Sequence, residues 1–289
     1  MTVNPAANAT VDGSKVTIAS AGTYMISGTL NNGQIFVNAT GKAVVRLILN
    51  NVNIHCSNSA PIFVKDAYKT IIILKENTVN YITDGSSYIL EAGTDEPNAA
   101  IFSKKDLTIY GSGSLIINAN YNDGIASKDG LVVKSGTINV TAVDDGIRGK
   151  SYVAIKGGTI SLKVGGDGLK SDDTEIDKGY VFIENGVINI VSTGDAIDAE
   201  SDVVIEAGTF NLKSGGGSSS TARASAKGLQ ANVSIIINGG VFTIDSADDA
   251  VNSNGNITVN NGVFAISTGD DAFHADASLT INNGTIIIT

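Results

Sequence analysis

Six aspartates stand at nearly the same place in successive repeats of this chain: Asp123, Asp145, Asp167, Asp195, Asp249 and Asp271. Each follows a short turn and precedes Gly or Ala and then an apolar residue. One cycle breaks the column, with Lys227 where the aspartate belongs. Three cycles double the charge one residue earlier, at Asp144, Asp248 and Asp270, and Asn122 fills that slot in a fourth. A single Asp-Gly pair reads as a turn, because both residues suit turn conformations. Turn chemistry alone would interchange Asn and Asp freely, as happens near the strand glycines at Asn185, Asn238, Asn261 and Asn283. The aspartate column contains no Asn.

Carboxylates stacked about 4.8 Å apart repel by roughly 1 kcal/mol per pair in water, and several-fold more near a protein surface. A row of them along one edge calls for a cation. Calcium suits such a row, since it takes roughly 6–8 oxygen ligands that carboxylates and turn carbonyls can supply. Several ions are expected, in three places. Asp123 stacks against Asp144 and Asp145; Asp167 stacks against Asp195, with Asp198 close by; Asp248 and Asp249 stack against Asp270 and Asp271. Alternation puts each aspartate two residues from an inward apolar side chain, so a bend at the intervening Gly or Ala must turn it outward.

Three residues further on runs a second ladder: Ala126, Arg148, Lys170, Asp198, Gln230, Asn252 and His274. Arg148 and Lys170 are neighbours in it, with Lys128 and Lys150 near by. Cations beside a metal-loaded acidic edge suit a uronate polymer, whose carboxylates bridge calcium and pair with Arg. The candidate polysaccharide contacts are therefore Lys128, Arg148, Lys150, Lys170, Lys227 and His274. The competing reading is that these are solvated charges balancing local aspartates. His274 has no second His in register, so zinc is not expected.

Lys227 follows a Gly/Ser-rich insertion, residues 214–225, that reads as a lip. In an enzyme it would be the general base, taking the proton α to a uronate carboxylate acidified by calcium. Aspartates around it raise a lysine's pKa and oppose that role.

The elements that position these residues are set by the repeat. The glycine that opens each strand recurs at Gly113, Gly136, Gly158, Gly186, Gly208, Gly240, Gly262 and Gly284, mostly 22 residues apart. Insertions lie at about 171–179, 214–225 and 83–97. In Gly136-Thr137-Ile138-Asn139-Val140, alternation points Ile138 and Val140 to one face and Thr137 and Asn139 to the other. Val153-Ala154-Ile155 and Val203-Val204-Ile205 form a second strand type, and helix signals are missing. Three short strands per 22 residues predict an all-β parallel β-helix, a solenoid of about ten coils whose stacking buries the core. Asn51-Val52-Asn53-Ile54 and Asn77-Thr78-Val79-Asn80 fall in the same slot upstream. Residues 1–289 read as one domain, with 1–45 an atypical N-terminal capping coil.

Bulk composition narrows the function. The 289 residues carry a net charge of −10, which argues against nucleic acid and anionic membrane surfaces. No run of apolar residues is long enough to span a membrane. Cys56 is the only cysteine, so no internal disulfide forms. The first residues show no secretory signal. Asn/Thr/Gly-rich repeats almost without Cys nevertheless suit the outside of a bacterium, so a secreted or cell-surface location is expected.

The run Asn98-Ala99-Ala100-Ile101-Phe102-Ser103-Lys104, with Asn122-Asp123-Gly124-Ile125-Ala126-Ser127-Lys128, resembles bacterial carbohydrate-binding domain-containing proteins. So do Val143-Asp144-Asp145-Gly146-Ile147-Arg148-Gly149-Lys150, Gly166-Asp167-Gly168-Leu169-Lys170 and Ser225-Ala226-Lys227-Gly228-Leu229. The resemblance covers nearly the whole chain. It implies a right-handed β-helix, similar to the fold of family-nine pectate lyases, that binds calcium and acidic or cellulosic plant polysaccharide. Those enzymes use clustered aspartates on calcium and a lysine base, and Asp167, Asp195, Asp198 and Lys227 follow a comparable order. Departures are Ala196 and Ala272 where glycine is usual, Phe273 where Ile is usual, and Gln230 where a second lysine often stands. The last weakens the lyase reading.

The expectation is a calcium-dependent binder of acidic cell-wall polysaccharide such as polygalacturonate, with cellulose as a further ligand. Few aromatics (6%) and no Trp argue against broad stacking platforms. A calcium-dependent pectate lyase with Lys227 as base is the enzyme alternative, and a structural or adhesive solenoid the third. Ice binding is disfavoured, because the outward pairs Thr137/Asn139, Val187/Asn189 and Val263/Ala265 form no Thr-x-Thr array.

Overall fold

A computed structural model describes residues 1–5, 9–221 and 225–289, and every regular element in them is a strand. The alternation predicted from sequence sets which side chains enter the core. Ile138 and Val140 are buried, whereas Thr137 and Asn139 on the same strand stay half-exposed. Each repeat supplies three strand positions, for example Tyr152–Ile155, Thr159–Val164 and Leu169–Ser171. Corresponding positions pair in parallel with residues 22 apart, as in Ile138 with Ile160 and Arg148 with Lys170. Across the insertion at 171–179 the register holds, with Ala154 beside Phe182, so the extra residues loop out and leave the stack intact.

The sheet topology corrects one expectation. Instead of a single right-handed β-helix solenoid of about ten coils, the strands divide into two sheets, of 21 and 12 strands, mostly parallel and sandwich-like across one core. The reason lies near the N-terminus. Strand Val44–Cys56 runs 13 residues and pairs with both Lys69–Leu74 and Val79–Asp84. Two strand positions that the repeat treats as separate are thereby joined into one sheet. The third position, which carries Arg148 and Lys170, forms the 12-stranded sheet alone.

Within the region read as an atypical cap, Thr2–Asn4 pairs antiparallel with Met25–Ser27, and Ala9–Asp12 antiparallel with Lys15–Ile18. Residues 6–8, also part of that reading, lie outside the described residues, as do 222–224 of the proposed lip. Further along, the strand glycines have a physical cause: Gly158 sits at φ +99°, where a Cβ would lie 2.6 Å from the Gly136 carbonyl oxygen. Left-handed backbone and close rung-to-rung approach both favour glycine there.

Inside, Phe210, Phe242 and Phe264 stack face to face on successive rungs, with centroids 4.5 and 4.6 Å apart. All three are fully buried. The three rings belong to the repeats that carry Lys227, Asp249 and Asp271. No helix among the described residues is long and apolar enough to cross a membrane.

Candidate cation row and polysaccharide face

The aspartate column lies on the turns entering the 12-stranded sheet, and every carboxylate but that of the last, Asp271, reaches the next rung. The Asp145 N–H donates to Asp123 Oδ1 (3.3 Å), that of Asp167 to Asp145 Oδ1 (2.8 Å) and that of Asp195 to Asp167 Oδ1 (2.7 Å). The Lys227 N–H donates to Asp195 Oδ1 (2.6 Å) and the Asp271 N–H to Asp249 Oδ1 (3.0 Å). One oxygen of each of these five aspartates, Asp123, Asp145, Asp167, Asp195 and Asp249, thus satisfies a backbone donor that the turn would otherwise strand. The other oxygen, Oδ2, remains for charge.

This differs from the expected outward row. Asp123 is 0% exposed, Asp145 4%, Asp167 9% and Asp249 5%; only the terminal Asp271 is open to solvent. Bonding to the neighbouring rung pulls the carboxylates into the wall. Burial, with the Asp145 charge, pushes Asp123 up to about 7. Asp195 rises to about 7 for the same reason, against the hydrogen bond from the Lys227 N–H. Burial also lifts Asp145 and Asp198 to about 6, with Lys170 opposing it in both.

The second ladder has the register read from sequence: Ala126, Arg148, Lys170, Asp198, Gln230, Asn252 and His274 occupy consecutive paired positions. Its cations lean back over the aspartates. Arg148 lies 3.6 Å from Asp123 Oδ2 and bonds Asp172 at its other end. Lys170 bonds Asp167 and lies 3.6 Å from Asp198 Oδ2 and 4.0 Å from Asp145 Oδ2. Burial would lower Lys170, but these carboxylates outweigh it and raise it above a lysine's usual value. The middle of the row is therefore neutralised by the chain itself.

Asp145, Asp167 and Asp198 accordingly surround an ammonium, Lys170, which fills the place a cation would take; Asp195, expected in the same cluster, is not among its partners. The two ends differ. Asp123, Asp144 and Asp145 bring ligand oxygens within 4.8 Å of one another, as do Asp248, Asp249 and Asp270. A third such group joins Asp249 and Asp271 to His274. Three hard carboxylate ligands at each end suit the chemistry of calcium, with other oxygens needed to complete its shell, and Asp123, Asp144 and Asp145 at one end and Asp248, Asp249 and Asp270 at the other would hold it.

Lys227 Nζ bonds Asp248 Oδ2 at 2.9 Å and Ser225 Oγ at 2.7 Å. Burial pushes Asp248 up, but these bonds outweigh it and hold its carboxyl below the usual range. Lys227 therefore sits as the cation of a salt bridge, which must open before its amine can accept a proton. His274 lies 3.4 Å from Asp271 Oδ2 and 3.3 Å from Asp276 Oδ1. Lys128 turns away to Glu96 at 2.7 Å, and Lys150 is exposed on the turn that follows its strand.

Three partners escaped the sequence reading. Asp172 holds Arg148, Glu96 holds both Lys104 and Lys128, and the ladder continues past Ala126 into Phe102, Phe63 and Phe36. The first two come from insertions, whose folding the repeat does not encode. The third was visible in Asn98-Ala99-Ala100-Ile101-Phe102-Ser103-Lys104, which puts Phe102 where the next rung has Ala126.

Comparison with known proteins bears on this face. The sequence profile of carbohydrate-binding domain-containing proteins matches residues 12–272. A carbohydrate-binding domain-containing protein of Acetivibrio thermocellus is 42% identical over 129 residues, 44% of this chain and 45% of that relative. The aligned stretch thus spans about half the length of the relative it matches. The solved structure of a polysaccharide lyase-like protein from C. thermocellum, a gadolinium derivative, superposes with a TM-score of 0.69 at 31% identity. That match covers 96% of this chain and 92% of the other.

Proposed function

The chain belongs to the family of carbohydrate-binding domain-containing proteins, and from that premise we propose that it binds acidic plant cell-wall polysaccharide such as polygalacturonate through calcium. The observation that carries this reading is the pair of carboxylate clusters at the ends of the row. At Asp123/Asp144/Asp145 and Asp248/Asp249/Asp270 the acids converge within 4.8 Å. There the chain's own bases balance only part of the charge, and burial already drives Asp123 up to about 7. Calcium would supply charge balance and open coordination positions for a sugar carboxylate. Arg148 and Lys170 between the clusters are taken up by the chain's own carboxylates, so the polymer's carboxylates would be met by the calcium ions at the two ends.

A binder is preferred to a lyase because Lys227 is committed to Asp248 and Ser225, and the ladder position three residues after it is Gln230 rather than a second lysine. The reading places the protein outside the cell, where calcium sites with Kd of about 0.1–1 mM are filled.

Retention on polygalacturonate with calcium and with EDTA tests it, together with ultraviolet absorbance for unsaturated product. Retention lost in EDTA, with flat absorbance, is expected. Equal retention in both would remove the calcium claim, and steady product formation lost in Lys227→Ala would make the protein a lyase.

A further inference from the structure

The outward column that holds Arg148 and Lys170 starts as an aromatic strip. Register carries it from Ala126 back through Phe102, Phe63 and Phe36. The Phe36 and Phe63 rings meet edge-on at 5.4 Å, and Phe63 and Phe102 at 5.7 Å. Aromatics on the outer face of a sheet need a cover, and the insertion at 83–97 supplies it over Phe102, which is fully buried. The insertion is tied down at both ends. Tyr88 Oη donates to Asp84 Oδ2 (2.7 Å), and Glu96 bridges Lys104 (2.9 Å) and Lys128 (2.7 Å).

Where the cover stops, a cavity of about 290 Å³ opens between Phe36 and the insertion. That lies at the small end of ligand pockets, which run to roughly 300–1,000 Å³. It has room for one sugar ring. Its charges are uneven. Lys65 pairs with Glu91 at 3.2 Å and Lys104 with Glu96. Lys15, in contrast, has no carboxylate partner among the described residues; its Nζ rests 3.7 Å from the centroid of the Phe36 ring. Gln34, which also lines the cavity, spends its Nε2 hydrogens on Ser59 Oγ (3.1 Å) and the Ala60 carbonyl (2.8 Å), so its Oε1 is the atom left to accept from a hydroxyl.

We propose that this cavity is a subsite for a single uronate residue, its ring on Phe36 and its carboxylate on Lys15, separate from the aspartate row. The proposal rests on the acidic-polysaccharide reading above. An apolar ring face suits the hydrogen-bearing face of a pyranose, and one free ammonium matches one sugar carboxylate. On binding, Lys15 swings from the ring to the carboxylate and the sugar takes its place. Phe36 and Asp123 lie on strands three steps apart in the same sheet, about 14 Å across the strands and about 10 Å along them at the usual spacings, so one oligosaccharide running diagonally over the sheet can engage both.

Calorimetric titration of the full chain with trigalacturonate and with cellotriose, in calcium and in EDTA, tests the subsite. Lys15→Gln changes an exposed side chain, and Phe36→Leu keeps an apolar filler, so both variants fold. Each is expected to weaken trigalacturonate binding roughly tenfold, in EDTA as well as in calcium. If the wild type binds trigalacturonate and both variants bind it equally well, the subsite is overturned while the calcium row stands. If cellotriose alone responds to the variants, the acidic assignment is overturned. If the wild type binds no acidic oligosaccharide, the underlying reading fails and the subsite with it.

Discussion

The backbone N–H of Asp195 donates to Asp167 Oδ1 at 2.7 Å, while Asp167 Oδ2 faces the ammonium of Lys170. One carboxylate thus performs two separable tasks. Its first oxygen locks consecutive repeats; its second takes part in the electrostatics of the face. The same division repeats at Asp123, Asp145 and Asp249, so structural and cation-binding roles can be dissected with one substitution.

Asp249→Asn retains an Oδ1 acceptor for the Asp271 N–H but removes the charge. In EDTA its melting temperature is expected to match or exceed that of the wild type, because a buried like-charge repulsion is relieved. Calcium should then stabilise it less. A ligand at 100 times its Kd stabilises a single site by about 2.7 kcal/mol, and the variant should lose much of that increment. Melting curves with and without calcium read this directly, and an undiminished calcium shift would clear Asp249 of metal binding.

Lys170→Met leaves Asp145, Asp167 and Asp198 facing one another without their cation. Lys170 is about a quarter exposed, so the loss in EDTA is set at ~2 kcal/mol, below the value for a fully buried pair. Added calcium should recover part of it, because the three carboxylates then form a vacant oxygen site. Denaturant titration at fixed pH measures both effects.

Calcium-free stability should fall as pH rises from about 4 to about 7. Asp123 and Asp195 are pushed to about 7, and Asp145 and Asp198 to about 6, all above an unfolded aspartate. Between the unfolded and folded values the folded protein holds more protons, so stability declines with pH through that window. Asp248 and Glu96 are held below their usual values and act oppositely, their contribution being lost at more acidic pH. Calorimetric melts in EDTA at pH 5 and pH 8 should rank the acidic sample as more stable. Equal melting temperatures would contradict the burial of these carboxylates.

Phe242→Ala removes the middle ring of the Phe210–Phe242–Phe264 stack and leaves a cavity between two buried rings. The expected cost is ~3–5 kcal/mol. The denaturant midpoint should fall at constant slope if the whole chain still unfolds together.

Much of the positioning was legible in the residues. The 22-residue step, the inward alternation of Ile138 and Val140, and the adjacency of Arg148 and Lys170 all follow from local rules. A strand alternates its side chains, and an even repeat brings equal positions into register. The sheet count was not legible. It depends on Val44–Cys56 being long enough to pair at two positions, which no repeat period expresses. The column was also misjudged as an exposed edge, because an aspartate in a turn looks the same whether its oxygen meets water or the next rung's N–H.

The sequence by itself determined that this chain stacks β repeats and lines up aspartates beside basic residues, since both are fixed by spacing along the chain. Only the tertiary structure decided which charges neutralise which. Lys170 closes the middle of the row, the two ends keep converging oxygens, and Phe36 opens beside an unpaired Lys15. Those outcomes turn on how insertions fold back over the sheet and on distances of a few ångströms between rungs, where Coulomb energy and desolvation compete at close range.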